Sequence, residues 1–350
     1  MSNPPRRWTR RLTWTLLAVA ALALVGCATG GELDSLRPAG PIAHKQMSLF
    51  TPVFWTAVVV FVVVEAILVL ALFRFRDRPD APMPQQVHGN TRLEVGWTIL
   101  PALILAVIAV PTVATIFALA QEPEGAIRVE VVGHRWWWEF RYPGEDVVTA
   151  NELHIPAGRP VMLTMDAYEE GGVLTVPAER GEGVIHSFWV PRLAGKQDVV
   201  PGKVSTLTLE ADQPGEYWGQ CAEFCGMSHA NMRVRVIAHD EAGYRRWLNE
   251  QRAPAAQATG ALAEGQRLFA EGACAGCHTI EGVATGIGGP NLTHFASRNR
   301  FAGSTFETNR ENLREWLRDP PAMKPGSLMP PLGLTEDEIE SLVDYLLSLR

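Results

Sequence analysis

The chain has 350 residues, is 47% hydrophobic and 20% charged, and carries a formal net charge of −7. That acidity argues against a nucleic-acid surface, which would be basic, and the length leaves room for several domains. The five cysteines fall in three separate places with a distinct use at each, so no structural disulfide is expected and the fold must rest on its core and on bound groups.

Residues 1–26 read as a targeting segment. Arg6, Arg7, Arg10 and Arg11 precede a mostly apolar stretch that is too short and too alanine-rich for a membrane span. Leu24-Val25-Gly26-Cys27 resembles a bacterial lipobox, which implies cleavage before Cys27 and acylation of its sulfur; an ordinary signal peptide or an uncleaved anchor is the alternative. Residues 27–49 follow as an extracytoplasmic segment.

Residues 50–120 form a transmembrane hairpin. The apolar runs 50–73 and 97–120 each exceed the roughly 20 residues a bilayer requires. Both are rich in β-branched residues, yet a helix is the open-ended structure that satisfies its own backbone in lipid. Arg74, Arg76 and Arg78 mark the connecting loop as cytoplasmic, which puts both termini outside. Glu65 lies within the first span, where an ionisable residue either serves function or faces a partner helix. Glu94 precedes the second span.

Charge is uneven. Residues 1–120 carry 10 Lys and Arg against 6 Asp and Glu, whereas residues 121–240 carry 10 against 18. An acidic exterior domain steers a basic redox partner, or simply keeps the domain soluble.

Residues 121–240 read as an all-β sandwich or barrel, with short runs such as IRVEVVGHRWWWEF, KVSTLTLEA and MRVRVIAH separated by Gly and Pro turns. Trp136, Trp137 and Trp138 fall in the first of these, where alternation would split them between core and surface. Its most informative stretch is GQCAEFCGMSHANM, which puts Cys221, Cys225, His229 and Met232 on one loop. Thiolates, imidazole and thioether are a donor set for copper rather than a hard cation, and a second cysteine lets two ions share the pair of sulfurs. His186, ending a strand-like run, is the candidate second histidine. A disulfide or half of a zinc site are the alternatives, but zinc does not favour a thioether.

Residues 241–260 read as a short helix and an Ala- and Pro-rich linker, and residues 261–350 as a small all-α domain. Cys274-Ala-Gly-Cys277-His278 is the attachment signature for haem c: two thiols for the vinyl groups and an imidazole for the iron. A sixth ligand is usually methionine. Met323 and Met329 both lie in PAMKPGSLMPP, and Met329, followed by Pro330, is preferred. An apolar stripe on Leu342, Val343, Leu346 and Leu349 marks a closing helix.

The copper loop with His186 closely resembles the binuclear CuA site of cytochrome c oxidase subunit II, and nearly the whole mature chain resembles the caa-type, with a cytochrome c domain fused at the C-terminus. The fold implied is multidomain: a transmembrane hairpin, an all-β cupredoxin sandwich and an all-α cytochrome c domain. The resemblance implies further roles. Trp136, counted from the Gly-His pair, lies over the copper and takes the incoming electron. Glu223 gives its carbonyl to one copper and its carboxylate to a magnesium or manganese ion at the contact with subunit I. Glu94 marks the entrance of a proton path. The implied activity is that of a haem-copper terminal oxidase: electrons pass from a cytochrome c-type donor through haem c and CuA to subunit I, which reduces oxygen to water and translocates protons. The implied partners are subunit I, other oxidase subunits and that donor, and the implied location is the bacterial inner membrane with the soluble domains outside.

Four alternatives stand beside this reading. A quinol oxidase subunit II lacks the copper ligands, nitrous oxide reductase has a large second domain absent here, and a Sco-type copper chaperone keeps its histidine far downstream. The fourth is a membrane-anchored CuA and haem c carrier serving another reductase.

Overall fold

The structure, a computed structural model, describes residues 30–76, 88–166, 183–255 and 257–350, together with 14, 15, 17, 18, 83, 85 and 86. The rest of the expected leader, Cys27 and Arg78 lie outside the described residues.

Two long helices come first, α1 (Pro41–Arg74) and α2 (Thr91–Leu119). Both are long and apolar enough to cross a bilayer. They start earlier than the apolar runs at 50 and 97. Helical hydrogen bonding needs no apolar side chains, so α1 begins at Pro41, a residue suited to a first turn, and runs through His44, Lys45 and Gln46 before reaching the apolar run. Asn90 caps α2 by accepting from the backbone N–H groups of Arg92 and Leu93.

A sandwich of two five-stranded sheets follows, with orders β3-β2-β1-β5-β8 and β4-β10-β9-β6-β7. The first holds β1 (Ile127–His134), β2 (Trp137–Tyr142), β3 (Val147–Ala150), β5 (Val161–Asp166) and β8 (Ser205–Leu209); the second holds β4 (Glu152–Pro156), β6 (His186–Trp189), β7 (Gln197–Val199), β9 (Gly215–Cys221) and β10 (Arg233–His239). Val129, Val131, Phe140, Leu163 and Met165 from the first sheet meet Leu153, Ile155, Phe188, Val234 and Val236 from the second in one buried core. Fully buried, Phe140 and Phe188 each contribute about 1.5–3 kcal/mol. The segment before α1 docks on this sandwich: Ala39 pairs with Arg192 and Asp212 through backbone bonds, and a Cβ at Gly40 would fall 1.9 Å from the Glu210 carbonyl oxygen.

The sequence reading of residues 127–140 as one strand is corrected. β1 and β2 form an antiparallel hairpin in which His134 pairs with Trp137, leaving Arg135 and Trp136 as its two-residue turn, joined by a cis peptide bond. The three tryptophans therefore take three environments. Trp138 is core, Trp137 stacks on His134 at 4.1 Å, and Trp136 sits at the tip.

Helix α3 (Glu241–Gln251) packs Trp247 flat on His154 at 4.2 Å, and His154 Nδ1 lies 2.8 Å from His239 Nε2. Burial lowers the pKa of both imidazoles, taking His239 down to about 4, with the neighbouring His154 adding to the effect. An unfolded histidine titrates near 6.5. As pH falls through the window from about 6.5 to about 4, the unfolded chain binds protons that the folded pair refuses, and stability is lost. In a His239→Gln chain the fall in melting temperature across that window should be shallower than in the wild type; an unchanged slope would assign the acid sensitivity elsewhere.

The C-terminal domain closes α4 (Leu262–Glu271) against α7 (Glu336–Ser348). A Cβ at Gly265 would fall 2.1 Å from the Ser341 carbonyl oxygen, so the helices cross as closely as glycine permits. Leu342, Val343 and Leu346 are buried from α7, as is Leu349 just past its end. α5 (Arg310–Arg318) and the short α6 (Pro320–Met323) complete the helices, and two small ribbons, β11 (Thr279–Ile280) with β12 (Ala284–Thr285) and β13 (Arg300–Phe301) with β14 (Phe306–Glu307), are added to the expected helical fold.

Candidate metal and cofactor sites

Neighbouring strands bring the sulfur loop and its distant histidine together. β6 and β9 are hydrogen-bonded with Phe188 opposite Cys221, so His186 at the start of β6 lies beside the end of β9. The loop closes where the Cys221 N–H donates to the Met232 carbonyl, one residue before β10. Cys221 and Cys225 Sγ are 3.8 Å apart, far beyond a disulfide bond of about 2.05 Å. His186 Nδ1 lies 3.8 Å from Cys221 Sγ, His229 Nδ1 lies 3.6 Å from Cys225 Sγ, and Met232 Sδ lies 3.9 Å from Cys225 Sγ. Each imidazole thus serves a different sulfur, which suits two metal ions sharing the pair better than one. The Glu223 carbonyl oxygen turns inward, 3.2 Å from Cys221 Sγ.

Both thiols are buried and face each other. Hydrogen bonding to Cys225 holds the Cys221 thiol down to about 3 against the opposing effect of burial, with His186 adding to it; the same bond and burial push Cys225 up. A thiolate held ready beside soft and imidazole donors fits copper.

The residues expected to hold haem line one cavity of about 760 Å³, which Cys274, Cys277, His278 and Met329 all reach and Met323 does not. His278 Nδ1 donates to the Pro290 carbonyl at 2.9 Å, leaving Nε2 as the free ligand nitrogen. A Cβ at Gly289 would fall 2.5 Å from His278 Cε1, so glycine is required for the chain to pass that ring. Arg135, Arg298, Arg300 and Lys324 also line the cavity, and no carboxylate does among the described residues. Arg298 is 5% exposed and its Nε has no partner; burial brings its pKa down to about 10, with Glu152 opposing. Buried cationic side chains, one of them an incompletely paired guanidinium, among many apolar ones suit a flat apolar macrocycle with acidic side groups.

This cavity is not confined to the C-terminal domain. Its wall includes Trp136, Trp137 and His186 of the sandwich. Trp136 is 8% exposed and its Nε1–H donates to the Cys225 carbonyl at 2.9 Å. Two further contacts seat the C-terminal domain on the sandwich, and the sequence had not singled out either. Lys324 Nζ donates to the Trp136 carbonyl at 2.7 Å. Glu152 Oε1 accepts from Arg235 Nη1 at 2.7 Å and from the backbone N–H groups of Asn299 and Arg300 at 3.1 and 3.3 Å.

Away from these centres, Glu94 is exposed and its Oε1 accepts from the Asn90 backbone N–H at 3.2 Å, completing the cap of α2. Glu65 is exposed on the surface of α1.

Comparison with known proteins agrees along the chain. The family described as cytochrome C oxidase subunit II, transmembrane domain, matches residues 33–115; its periplasmic domain matches residues 127–239; and cytochrome c matches residues 262–350. The cytochrome c oxidase subunit 2 of Alkalihalophilus pseudofirmus is 37% identical, covering 98% of each chain. That of Bacillus sp. (strain PS3) is 35% identical over 96% of this chain and 97% of its own. A quinol oxidase subunit 2 of Bacillus cereus is 31% identical over 69% of this chain and 81% of its own. Donor set, haem cavity and matched domains lead to one statement: the chain belongs to the cytochrome c oxidase subunit II family, as a haem-copper oxidase component with a cytochrome c domain at its C-terminus.

Proposed function

We propose that this subunit is the electron-receiving arm of its oxidase, with haem c and CuA held on either side of Trp136. When bound, the two groups supply one-electron acceptance and release, taking electrons from a cytochrome c-type donor and delivering them to subunit I, where oxygen is reduced to water with proton translocation. Cys274, Cys277, His278 and Met329 would hold the haem. His186, Cys221, Cys225, His229, Met232 and the Glu223 carbonyl would hold the copper pair. The Glu223 carboxylate would reach magnesium or manganese with ligands from subunit I, and Glu94 would stand at the proton path, beyond its capping role. The two helices would cross the bacterial inner membrane with both soluble domains outside, and Cys27 would carry a lipid, which mass spectrometry of the mature N-terminus tests.

The observation that carries this reading is Trp136. One indole donates to the carbonyl of a copper-loop cysteine and also walls the haem cavity. A Trp136→Ala chain should retain its copper signal while an external donor reduces the copper roughly tenfold to a hundredfold more slowly, the scale set by loss of a positioning contact. Normal reduction kinetics in that chain would remove Trp136 from the path.

A further inference from the structure

Lys324 has no part in the ligand sets, yet its position is unusual. It lies five residues before Met329 and is 4% exposed, and among the described residues it makes no ion pair with a carboxylate. A buried lysine without a carboxylate partner is costly: burial brings its pKa down to about 7, with Cys225 opposing, and its amine has to recover its lost hydration from fixed dipoles. Two carbonyls serve: Nζ donates to Trp136 O at 2.7 Å and to Ala302 O at 2.9 Å.

The second of those carbonyls belongs to an unusual corner. Ala302, Gly303 and Ser304 have φ values of 52°, 77° and 55°, three successive residues in the left-handed region that alanine and serine seldom adopt. The corner is held by the sandwich domain. The Arg233 N–H donates to the Gly303 carbonyl at 3.0 Å, and Ser304 Oγ donates to the Asn151 carbonyl at 3.2 Å. A Cβ at Gly303 would fall 2.4 Å from Asn231 O and 2.7 Å from Lys324 Nζ. On the other side of the lysine, Ser228 Oγ of the copper loop donates to the Pro325 carbonyl at 2.6 Å. A Cβ at Gly326 would fall 2.9 Å from Trp136 Cη2. The stretch 324–326 is therefore laid along the indole and the copper loop, and the chain reaches Met329 three residues later.

We infer that Lys324 is a positioning residue: its ammonium ties the Met329 loop and the left-handed 302–304 corner to the Trp136 carbonyl, and so fixes how the haem cavity faces the copper loop. This rests on the reading above, in which the two centres exchange electrons. Trp136 is then held at both polar ends, its indole N–H by the Cys225 carbonyl and its own carbonyl by Lys324. Lysine suits the task because a flexible stem brings a compact ammonium with several donors to carbonyls that approach from different segments. Lys324 touches no expected ligand atom, and its effect is transmitted through the indole and the loop.

The test uses the full-length chain in its oxidase complex. Lys324→Met keeps the stem and removes the donor. We expect the haem and copper spectra to persist and transfer from haem to copper, read against the rate at which an external donor reduces the haem in the same variant, to slow by about tenfold or more. Amide hydrogen exchange over 300–306 and 322–330 should quicken in the same variant, and Lys324→Arg should restore most of the transfer rate and the protection. Should Lys324→Met not load haem, Lys324→Gln, which retains an N–H donor on a shorter stem, is measured in the same way and is expected to fall between wild type and loss. Unchanged transfer and exchange in whichever neutral variant loads haem would overturn the role of Lys324 and leave the electron-receiving function intact. A wild-type chain with no haem-to-copper transfer would overturn the function itself.

Discussion

A Cys225→Ser chain is expected to lose its two-copper, mixed-valence EPR signal while keeping its haem c spectrum. Cys225 Sγ is the hub of the donor set, 3.8 Å from Cys221 Sγ, 3.6 Å from His229 Nδ1 and 3.9 Å from Met232 Sδ. Serine keeps the shape of the residue and replaces a soft, polarizable sulfur with a hard hydroxyl that does not ionise near neutral pH, so the site loses one of the two atoms that copper ions can share. His229 and Met232 are left facing an oxygen, and the surviving half of the site, Cys221 with His186, suits at most a single ion. The loss also reaches stability. A group that binds only the folded state stabilises it by about 4 kcal/mol when present at a thousandfold over its dissociation constant. Wild-type protein stripped by a chelator and Cys225→Ser protein should therefore melt together, both below the copper-loaded chain. A retained two-copper signal in the serine variant would remove the Cys225 sulfur from the site.

Both candidate centres were legible in the sequence because the residues proposed to hold them are clustered there. Cys221, Cys225, His229 and Met232 lie within twelve residues, and Cys274, Cys277 and His278 within five. His186 was reachable because it flanks a strand-like run, although the structure makes it the first residue of β6 and not the last of a strand. The membrane helices were legible as apolar runs, though their true starts were not, since helical hydrogen bonding continues through polar side chains outside the lipid. The hairpin at Arg135-Trp136 carried no signal of the usual kind, having neither Gly nor Asn at its tip. What the sequence concealed most fully was the seat of one domain on the other. Lys324 and Trp136 are 188 positions apart, and Glu152 and Asn299 are 147 apart. A lysine in a Pro-Gly loop and a glutamate at the start of a strand look solvated until the fold buries them. The sequence described a haem domain on a tether, kept near copper by effective concentration. The structure adds specific buried contacts to that tether.

Glu152 decides between a domain that is seated and one that is merely tethered. It is 1% exposed and accepts from Arg235 Nη1, from the Asn299 N–H and from the Arg300 N–H, while Arg235 also pairs with Glu216. The Arg235 and Arg300 guanidiniums both lie over the Trp218 ring, 5.4 and 5.6 Å from its centre, so the ion pair and the ring contacts join residues of the two domains. Glu152→Ala removes the acceptor common to all three donors, leaves the part-buried backbone N–H groups of Asn299 and Arg300 without it, and leaves Arg235 dependent on the partly exposed Glu216. Breaking a buried pair from one side costs about 3–5 kcal/mol. That is enough to unseat a domain whose remaining contacts are mostly single hydrogen bonds worth about 1 kcal/mol each. The full-length Glu152→Ala protein should therefore melt at lower temperature and be cleaved faster by protease in the 252–261 linker. Its haem should be reduced normally by an external donor while transfer from haem to copper slows and becomes variable. Glu152→Gln keeps an acceptor oxygen of the same shape and should lie close to wild type in cleavage rate. If Glu152→Ala instead matches wild type in melting, cleavage and transfer, the haem domain reaches copper by diffusing on its linker, and the contacts around Trp218 contribute nothing to electron delivery.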